Sequence, residues 1–261
     1  MSLLQVEALQ AGYGKKQIIY DISLEVDEGR IVGILGPNGC GKSTMIKALC
    51  KGISYQGKVS VCGRDIKEMS EKALARACSY MPQKSGLAID ISVFEVVLMG
   101  FFPYMGIFEG PNKKMKNLVC ETLSCVGLKK EIHSNFMELS EGQKRLCILA
   151  RSLVAEAKLL IMDEPDASLD FGIRNHMIQI IKKRVAEKKT GVLLTLHDTD
   201  MALSNCDEIY LMKEGRIVNR ISSKEESLSN MEQKLSELYG KVKIQEYFSE
   251  DGTRKLTMVQ A

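Results

Sequence analysis

Gly36-Pro37-Asn38-Gly39-Cys40-Gly41-Lys42-Ser43-Thr44 is the stretch on which the reading of this chain turns. An apolar run, Ile31 to Leu35, precedes it and Met45-Ile46-Lys47-Ala48-Leu49 follows, a pattern of strand, glycine loop and helix. Gly36, Gly39 and Gly41 let the backbone turn inward with its N–H groups converging on an anion, and the helix N-terminus behind them adds partial positive charge. In such a loop Lys42 reaches the β- and γ-phosphates of a nucleotide, and Ser43 offers its hydroxyl to magnesium. The expected architecture is an α/β fold built to hold phosphate.

The totals bound the rest. A chain of 261 residues suffices for one large α/β domain, or one domain carrying an insertion. Its 36 basic and 33 acidic residues leave a net charge of +3, too little and too dispersed to point to nucleic acid. The eight cysteines form no CxxC pair, and several fall inside apolar runs, so reduced thiols in a cytoplasmic setting are expected rather than disulfides or a zinc site. Met-Ser-Leu-Leu-Gln-Val-Glu at the start has no basic region followed by an apolar block, so no signal peptide is expected. The apolar stretch from Ile91 to Phe108 contains Glu95, Gly100, Pro103 and Gly106, which argues against an uninterrupted membrane-spanning helix. It reads instead as a surface element, with Phe94, Phe101, Phe102, Tyr104 and Phe108 either presented to a partner or filling a local core.

Along the chain, residues 3–9 and 17–26 read as strands of an antiparallel layer joined by the turn Ala-Gly-Tyr-Gly-Lys-Lys. Tyr13, flanked by Gly12 and Gly14, is either an ordinary turn tyrosine or a flat platform for a nucleobase. Ser79-Tyr80-Met81 forms a strand that stops at Pro82-Gln83, which puts Gln83 at a strand end. Helical periodicity then dominates from 86 to about 155. At the end of that region stands Leu139-Ser140-Glu141-Gly142-Gln143, in which Ser140 and Glu141 suit a helix start and the serine and glycine also suit a second phosphate contact. Lys158-Leu-Leu-Ile-Met-Asp163-Glu164-Pro165 is a buried strand ending in two carboxylates; Asp163 would support magnesium and Glu164 would polarise an attacking water. A further buried strand, Gly191 to Leu196, ends on His197, where α/β folds place their ligands. A helix within 224–239 and a hairpin of Val242–Phe248 with Thr253–Val259 close the chain.

Taken in order, the phosphate loop, Gln83, LSEGQ, LLIMDEP, SLD (Ser168 to Asp170) and His197 resemble the ATP-binding cassette (ABC) ATPases over the first 220 residues. The resemblance implies a P-loop NTPase core of ABC type in residues 1–220, with an N-terminal antiparallel β layer and a helical subdomain at about 86–155. Residues 221–261 would be a C-terminal helix and β-hairpin appendage. It also implies ATP and Mg2+ as cofactors. Tyr13 would stack on adenine, Gly36 to Thr44 would hold the phosphates, and Ser43, Gln83 and Asp163 would serve the metal. Lys42, Gln83, Glu164 and His197 would act in hydrolysis, Glu164 as base and His197 as γ-phosphate sensor, with Asp170 communicating between subunits. In this family Ser140, Gly142 and Gln143 act on the nucleotide of a second copy, so a head-to-tail homodimer is implied. The sequence departs from the usual LSGGQ in having Glu141 at the third position.

The segment VVLMGFFPYMGIF is similar to its counterpart in the ATPases of iron-siderophore, haem and cobalamin importers. Such a chain would lie on the cytoplasmic face of the membrane against integral permease subunits, and be served indirectly by a substrate-binding protein. A soluble ABC ATPase of iron-sulfur assembly type, or the ATPase of another importer or exporter, is the alternative. Cys40, beside a helix N-terminus and Lys42, is either a small residue that fits the loop or a thiol with partial thiolate character.

Overall fold

The computed structural model describes residues 1–83, 90–106, 108–167, 169–249, 252 and 254–260. Its strands and helices run in the order β1 (Ser2–Tyr13), β2 (Lys16–Asp27), β3 (Ile31–Leu35), α1 (Lys42–Leu49), β4 (Tyr55–Val61), β5 (Arg64–Asp65), α2 (Glu71–Ala77) and β6 (Cys78–Met81). There follow α3 (Val93–Leu98), α4 (Lys113–Cys125), α5 (Glu141–Leu153), β7 (Leu159–Met162), α6 (Phe171–Lys188), β8 (Gly191–Leu196) and α7 (Thr199–Asn205). The chain closes with β9 (Glu208–Lys213), β10 (Arg216–Ser222), α8 (Leu228–Tyr239), β11 (Val242–Phe248) and β12 (Arg254–Gln260).

β3, β7 and β8 are apolar almost throughout because both their faces are covered. They lie inside a six-stranded sheet of order β10-β9-β3-β8-β7-β6, parallel except for the β9–β10 hairpin. Successive residues point to opposite faces, so Val32, Ile34, Leu159 and Ile161 join one core while Leu35, Leu160, Met162 and Leu194 join another. The first core lies between this sheet and the antiparallel sheet β2-β1-β4-β5, with α1 contributing Met45 and Ile46. The second lies beneath α5, α6, α7 and α8.

Between β6 and β7 the chain is helical. α3, α4 and α5 pack on one another around Val93, Val97, Val119, Leu123, Phe136 and Leu149, all at most 1% exposed. Ser92 and Glu95 close a reciprocal capping box on α3, which is tied back to the following loop by Phe136 N–H donating to Ile91 O at 2.9 Å. The opening residues of the expected helical region, 86–89, lie outside the described residues, as do Ile107, Ser168, the hairpin-turn residues 250 and 251, and Thr253. The five aromatics of 91–108 divide between two roles. Phe101 is buried, Phe94 and Tyr104 are half-buried against the core, and Phe102 and Phe108 are exposed. Pro103 falls in a 3-10 turn, Met99–Tyr104, and among the described residues no helix is long and apolar enough to cross a membrane.

The first hairpin is tighter than the expected six-residue turn. Tyr13 pairs with Lys16, so only Gly14 and Lys15 make the bend, with Gly14 at φ 57°. A two-residue turn with positive φ matches the twist of long strands. The two strands therefore extend to the glycines instead of stopping short of them.

Among the described residues, seven of the eight α-helices start with a side chain accepting from their first turn: Ser70, Ser92, Asn112, Ser140, Asp170, Asp198 and Ser227. The exception is α1, which begins after Gly41 with no side-chain cap and no acidic residue in its first turn. Phe136, 1% exposed in the core of the helical region, should be the sensitive point of that region. Phe136→Ala is expected to cost about 3–5 kcal/mol, read as a lower midpoint in urea denaturation.

Candidate functional site

Parallel pairing sets four strand ends side by side. Leu35 is level with Leu196, Met162 with Leu194, and Met81 with Met162. The residues immediately beyond these ends are the phosphate loop, His197, the pair Asp163 and Glu164, and Pro82-Gln83, so four stretches distant in sequence meet on one edge. This is where open α/β sheets bind ligands.

The phosphate loop folds over the end of β3 with Pro37, Asn38 and Gly39 exposed and Cys40, Lys42 and Thr44 buried. Gly36 is required by space, because a Cβ there would lie 2.3 Å from the Met212 carbonyl oxygen. Lys42 curls back under the loop, its ammonium donating to Gly36 O at 2.7 Å and Pro37 O at 3.2 Å. The same Nζ lies 3.4 Å from His197 Nδ1 and 4.0 Å from Glu164 Oε1. A lysine side chain only 3% exposed needs such oxygen neighbours, and here they line a phosphate-sized loop.

Glu164 is the hub of the edge. Its side chain is 10% exposed; Oε1 lies 2.5 Å from His197 Nε2, and Oε2 accepts a hydrogen bond from the Gln83 amide. Its backbone is left-handed at φ 46°, a conformation that costs a non-glycine residue about 1–3 kcal/mol. Two side chains hold it there. Thr195 accepts from Glu164 N–H at 2.9 Å and donates to Asp163 Oδ1 at 2.9 Å. Arg145 on α5 donates to Pro82 O at 3.0 Å and to Glu164 O at 3.5 Å, and burial lowers its pKa.

Asp163 Oδ1 also accepts from Ser43 Oγ at 3.2 Å. The serine hydroxyl of the loop and the carboxylate at the end of β7 thus already converge on one point. With the Gln83 amide nearby on the neighbouring strand end, the donor set is all oxygen and carries few carboxylates. That composition fits magnesium, which usually keeps waters and phosphate oxygens in its shell. Among the described residues no group of three or more His, Cys, Asp or Glu side chains could hold a metal by itself.

Tyr13 is 45% exposed, with Lys47 of α1, the helix that follows the phosphate loop, 5.8 Å from its ring centre. Ser140, Gly142 and Gln143 are engaged elsewhere. Ser140 caps α5, Gln143 closes the capping box and reaches Glu131 Oε1 at 3.4 Å, and a Cβ on Gly142 would meet Ile173 Cδ1 at 2.2 Å. Glu141 turns outward, its side chain 83% exposed and paired with Lys144 at 3.0 Å, which clears the serine and glycine of the extra carboxylate. Asp170 caps α6, and Arg174 one turn on pairs with Asp198 at 2.8 Å.

Cys40 follows the reading of a small residue fitting the loop and not that of a partial thiolate. It is 6% exposed, and burial raises its pKa by more than Lys42 lowers it. Thr195 and Arg145 were missed by the motif reading. A visible signal existed for the first, since Thr195 is the one hydroxyl in the otherwise apolar Gly191–Leu196; Arg145 had none beyond its place after LSEGQ.

The sequence profile described as ABC transporter matches residues 19–167, more than half of the chain. An uncharacterized ABC transporter ATP-binding protein of Methanocaldococcus jannaschii is 31% identical over 83% of this chain and 75% of its own length. A hemin import ATP-binding protein of Bartonella henselae is 35% identical over 78% of this chain and 79% of its own. An iron(3+)-hydroxamate import ATP-binding protein of Bacillus subtilis is 29% identical over 84% and 81%. Among solved structures, the ADP conformation of an ATP-binding cassette superposes with a TM-score of 0.80 at 25% identity, over 92% of this chain and 98% of that one. A chain from an inward-facing transporter described as metal-chelate type reaches 0.83 at 22% identity over 99% and 98%, a likeness of fold.

Two outcomes follow from this geometry. Thr195→Val leaves Asp163 and the Glu164 N–H without their shared hydroxyl and should destabilise the protein by about 1–3 kcal/mol, measured by chemical denaturation. Under a limiting maleimide reagent, peptide mapping should find the exposed Cys120 and Cys125 labelled first and Cys40 among the slow thiols.

Proposed function

Since the chain belongs to the ABC transporter family as an ATP-binding, ATP-hydrolysing subunit, we propose that it works as a head-to-tail homodimer driving import of an iron chelate, haem or cobalamin through separate membrane subunits. The observation that carries the catalytic part is Glu164, a nearly buried carboxylate facing Gln83, His197 and Lys42 at the strand ends.

In the proposed mechanism, adenine stacks on Tyr13, and the loop N–H groups from Gly36 to Thr44 with Lys42 Nζ hold the β- and γ-phosphates. Ser43 and Gln83 would ligate magnesium directly and Asp163 would hold its water shell; the ion supplies charge neutralisation as the terminal phosphoryl group is transferred. Glu164 accepts a proton from a water as that water's oxygen bonds to the γ-phosphorus and the bond to the ADP oxygen breaks. His197, 2.5 Å from the same carboxylate, orients it and contacts the γ-phosphate. Thr195 and Arg145 keep the Glu164 backbone in its strained conformation.

The dimer follows from distance and chemistry. Ser140 and Gly142 sit at the start of α5, in hydrogen bonds and packing that involve no residue of the phosphate loop. Their free faces suit the nucleotide of a second copy, and two copies placed head to tail would enclose two ATP molecules. The substrate class is supported by the hemin and iron-hydroxamate names of relatives at about 30% identity and by the VVLMGFFPYMGIF segment, with Phe102 and Phe108 exposed for a membrane partner.

Glu164→Gln should lower ATP turnover by about 10²- to 10⁴-fold while retaining MgATP binding, and should run as a dimer in gel filtration with MgATP and as a monomer without it. A variant that binds MgATP yet stays monomeric counts against the shared site. Co-expression with membrane subunits of a haem or iron-chelate importer should recover a complex whose ATPase rate rises with a haem or iron-chelate binding protein. A chain that copurifies with no membrane protein points to a different ABC ATPase class.

A further inference from the structure

His197 stands in a very short connection. β8 ends at Leu196 and α7 begins at Thr199, so His197 and Asp198 alone span the step from sheet to helix. Leu196 is fully buried in the core, which fixes the chain on the near side of the histidine. The far side depends on Asp198, whose two carboxylate oxygens have separate tasks. Oδ1 accepts from Met201 N–H at 2.9 Å and caps α7. Oδ2 accepts from Arg174 on α6 at 2.8 Å.

Arg174 is held in turn from another direction. A second guanidinium nitrogen donates to Leu169 O at 3.3 Å, so the side chain folds back over the first turn of its own helix to the residue before the Asp170 cap. One planar group thus joins the residue after His197 to the SLD loop, a task for which the single nitrogen of a lysine has the wrong shape. Asp166, 7% exposed, lies in the field of the same guanidinium: burial raises its pKa, and the charge of Arg174 opposes the rise. The Arg174 and Asp198 side chains are 30% and 36% exposed, and an ion pair so placed adds little to stability. Its geometry bears more on the placement of His197 than on the cohesion of the fold.

We propose, resting on the assignment of His197 as the group that orients Glu164 and contacts the γ-phosphate, that Arg174 is a positioning residue for ATP hydrolysis. It acts through Asp198 to keep the imidazole against Glu164, and it ties that position to the SLD loop. The ring has little latitude. Its Nε2 lies 2.5 Å from Glu164 Oε1 and its Nδ1 3.4 Å from Lys42 Nζ, and a misplacement of about 1 Å at such a site can cost about a hundredfold in rate. A displacement of Leu169 would pass through the guanidinium to Asp198 and so to the histidine.

Steady-state ATPase assays on the full chain test this, with urea denaturation as the control for folding. Arg174→Met should lower kcat by about ten- to a hundredfold, with the KM for MgATP and the urea midpoint little changed. Asp198→Asn keeps an oxygen to cap α7 but turns an amide NH2 toward Arg174, and it should lower kcat to a similar extent. It carries the test if Arg174→Met does not fold. The double variant should fall no further than the worse single one, since both break the same link. Arg174→Lys, able to keep the pair with Asp198, should recover part of the loss. His197→Ala separates the two assignments. If it abolishes turnover while Arg174→Met and Asp198→Asn turn over at the parent rate, the positioning role is overturned and the role of His197 stands; if His197→Ala itself keeps the parent rate, both fall. The positioning role is overturned as well if the losses of the single variants multiply in the double, or if KM rises while kcat holds.

Discussion

Parallel pairing of β6, β7, β8 and β3 is the constraint from which the rest follows. Because the four strands run in one direction and stop within about a turn of one another, every chemical group of the edge leaves the sheet at the same level. A one-residue slip of β7 would send Asp163 and Glu164 to opposite faces from those they now occupy. The apolar residues of both cores forbid that slip, since Leu159 and Ile161 would exchange places with Leu160 and Met162. Packing energy spread over the whole sheet thus fixes the position of two carboxylates at its rim.

The rim is polar, and its Lys42, Asp163 and Glu164 are nearly buried, a costly combination that is made tolerable by mutual satisfaction. Lys42 is surrounded by loop carbonyls and an imidazole, Asp163 by two hydroxyls, and Glu164 by an amide, an imidazole and the lysine. Such a network loses more from the removal of one member than a sum of pair energies suggests. Strain at Glu164 is held by Thr195 and Arg145, so the residue proposed to meet water in the reaction also has a backbone fixed by its neighbours.

Much of this was legible in the sequence because the signals are local. The runs Ile31–Leu35, Leu159–Met162 and Gly191–Leu196 are apolar enough to announce buried strands, and the glycine loop, the two acids and the histidine stand at their ends. Ser140 ahead of its periodic stretch marked one helix start to the residue. Strand order was not legible, since the β3–β8 pairing joins residues about 160 positions apart and no local pattern encodes it. Nor was the environment of Cys40: proximity to a lysine and a helix start left an acidic thiol and a small space-filling residue both open, and burial decides for the second. Thr195 was hidden for the opposite reason, as a single hydroxyl that reads as a strand residue until its two partners are seen.

The uncapped start of α1 has a thermodynamic side. Among the described residues every other α-helix brings its own acceptor, while α1 starts after Gly41 with its first amides unanswered by any side chain. A nucleotide phosphate held there, as proposed, would complete the fold as much as occupy a site, since ligand that binds only the folded state raises stability by mass action, about 2.7 kcal/mol at a hundredfold excess over the dissociation constant. The chain would then be at its most cohesive while loaded and would loosen on release of product. The cycle of filling and emptying is written into its stability as well as into its chemistry.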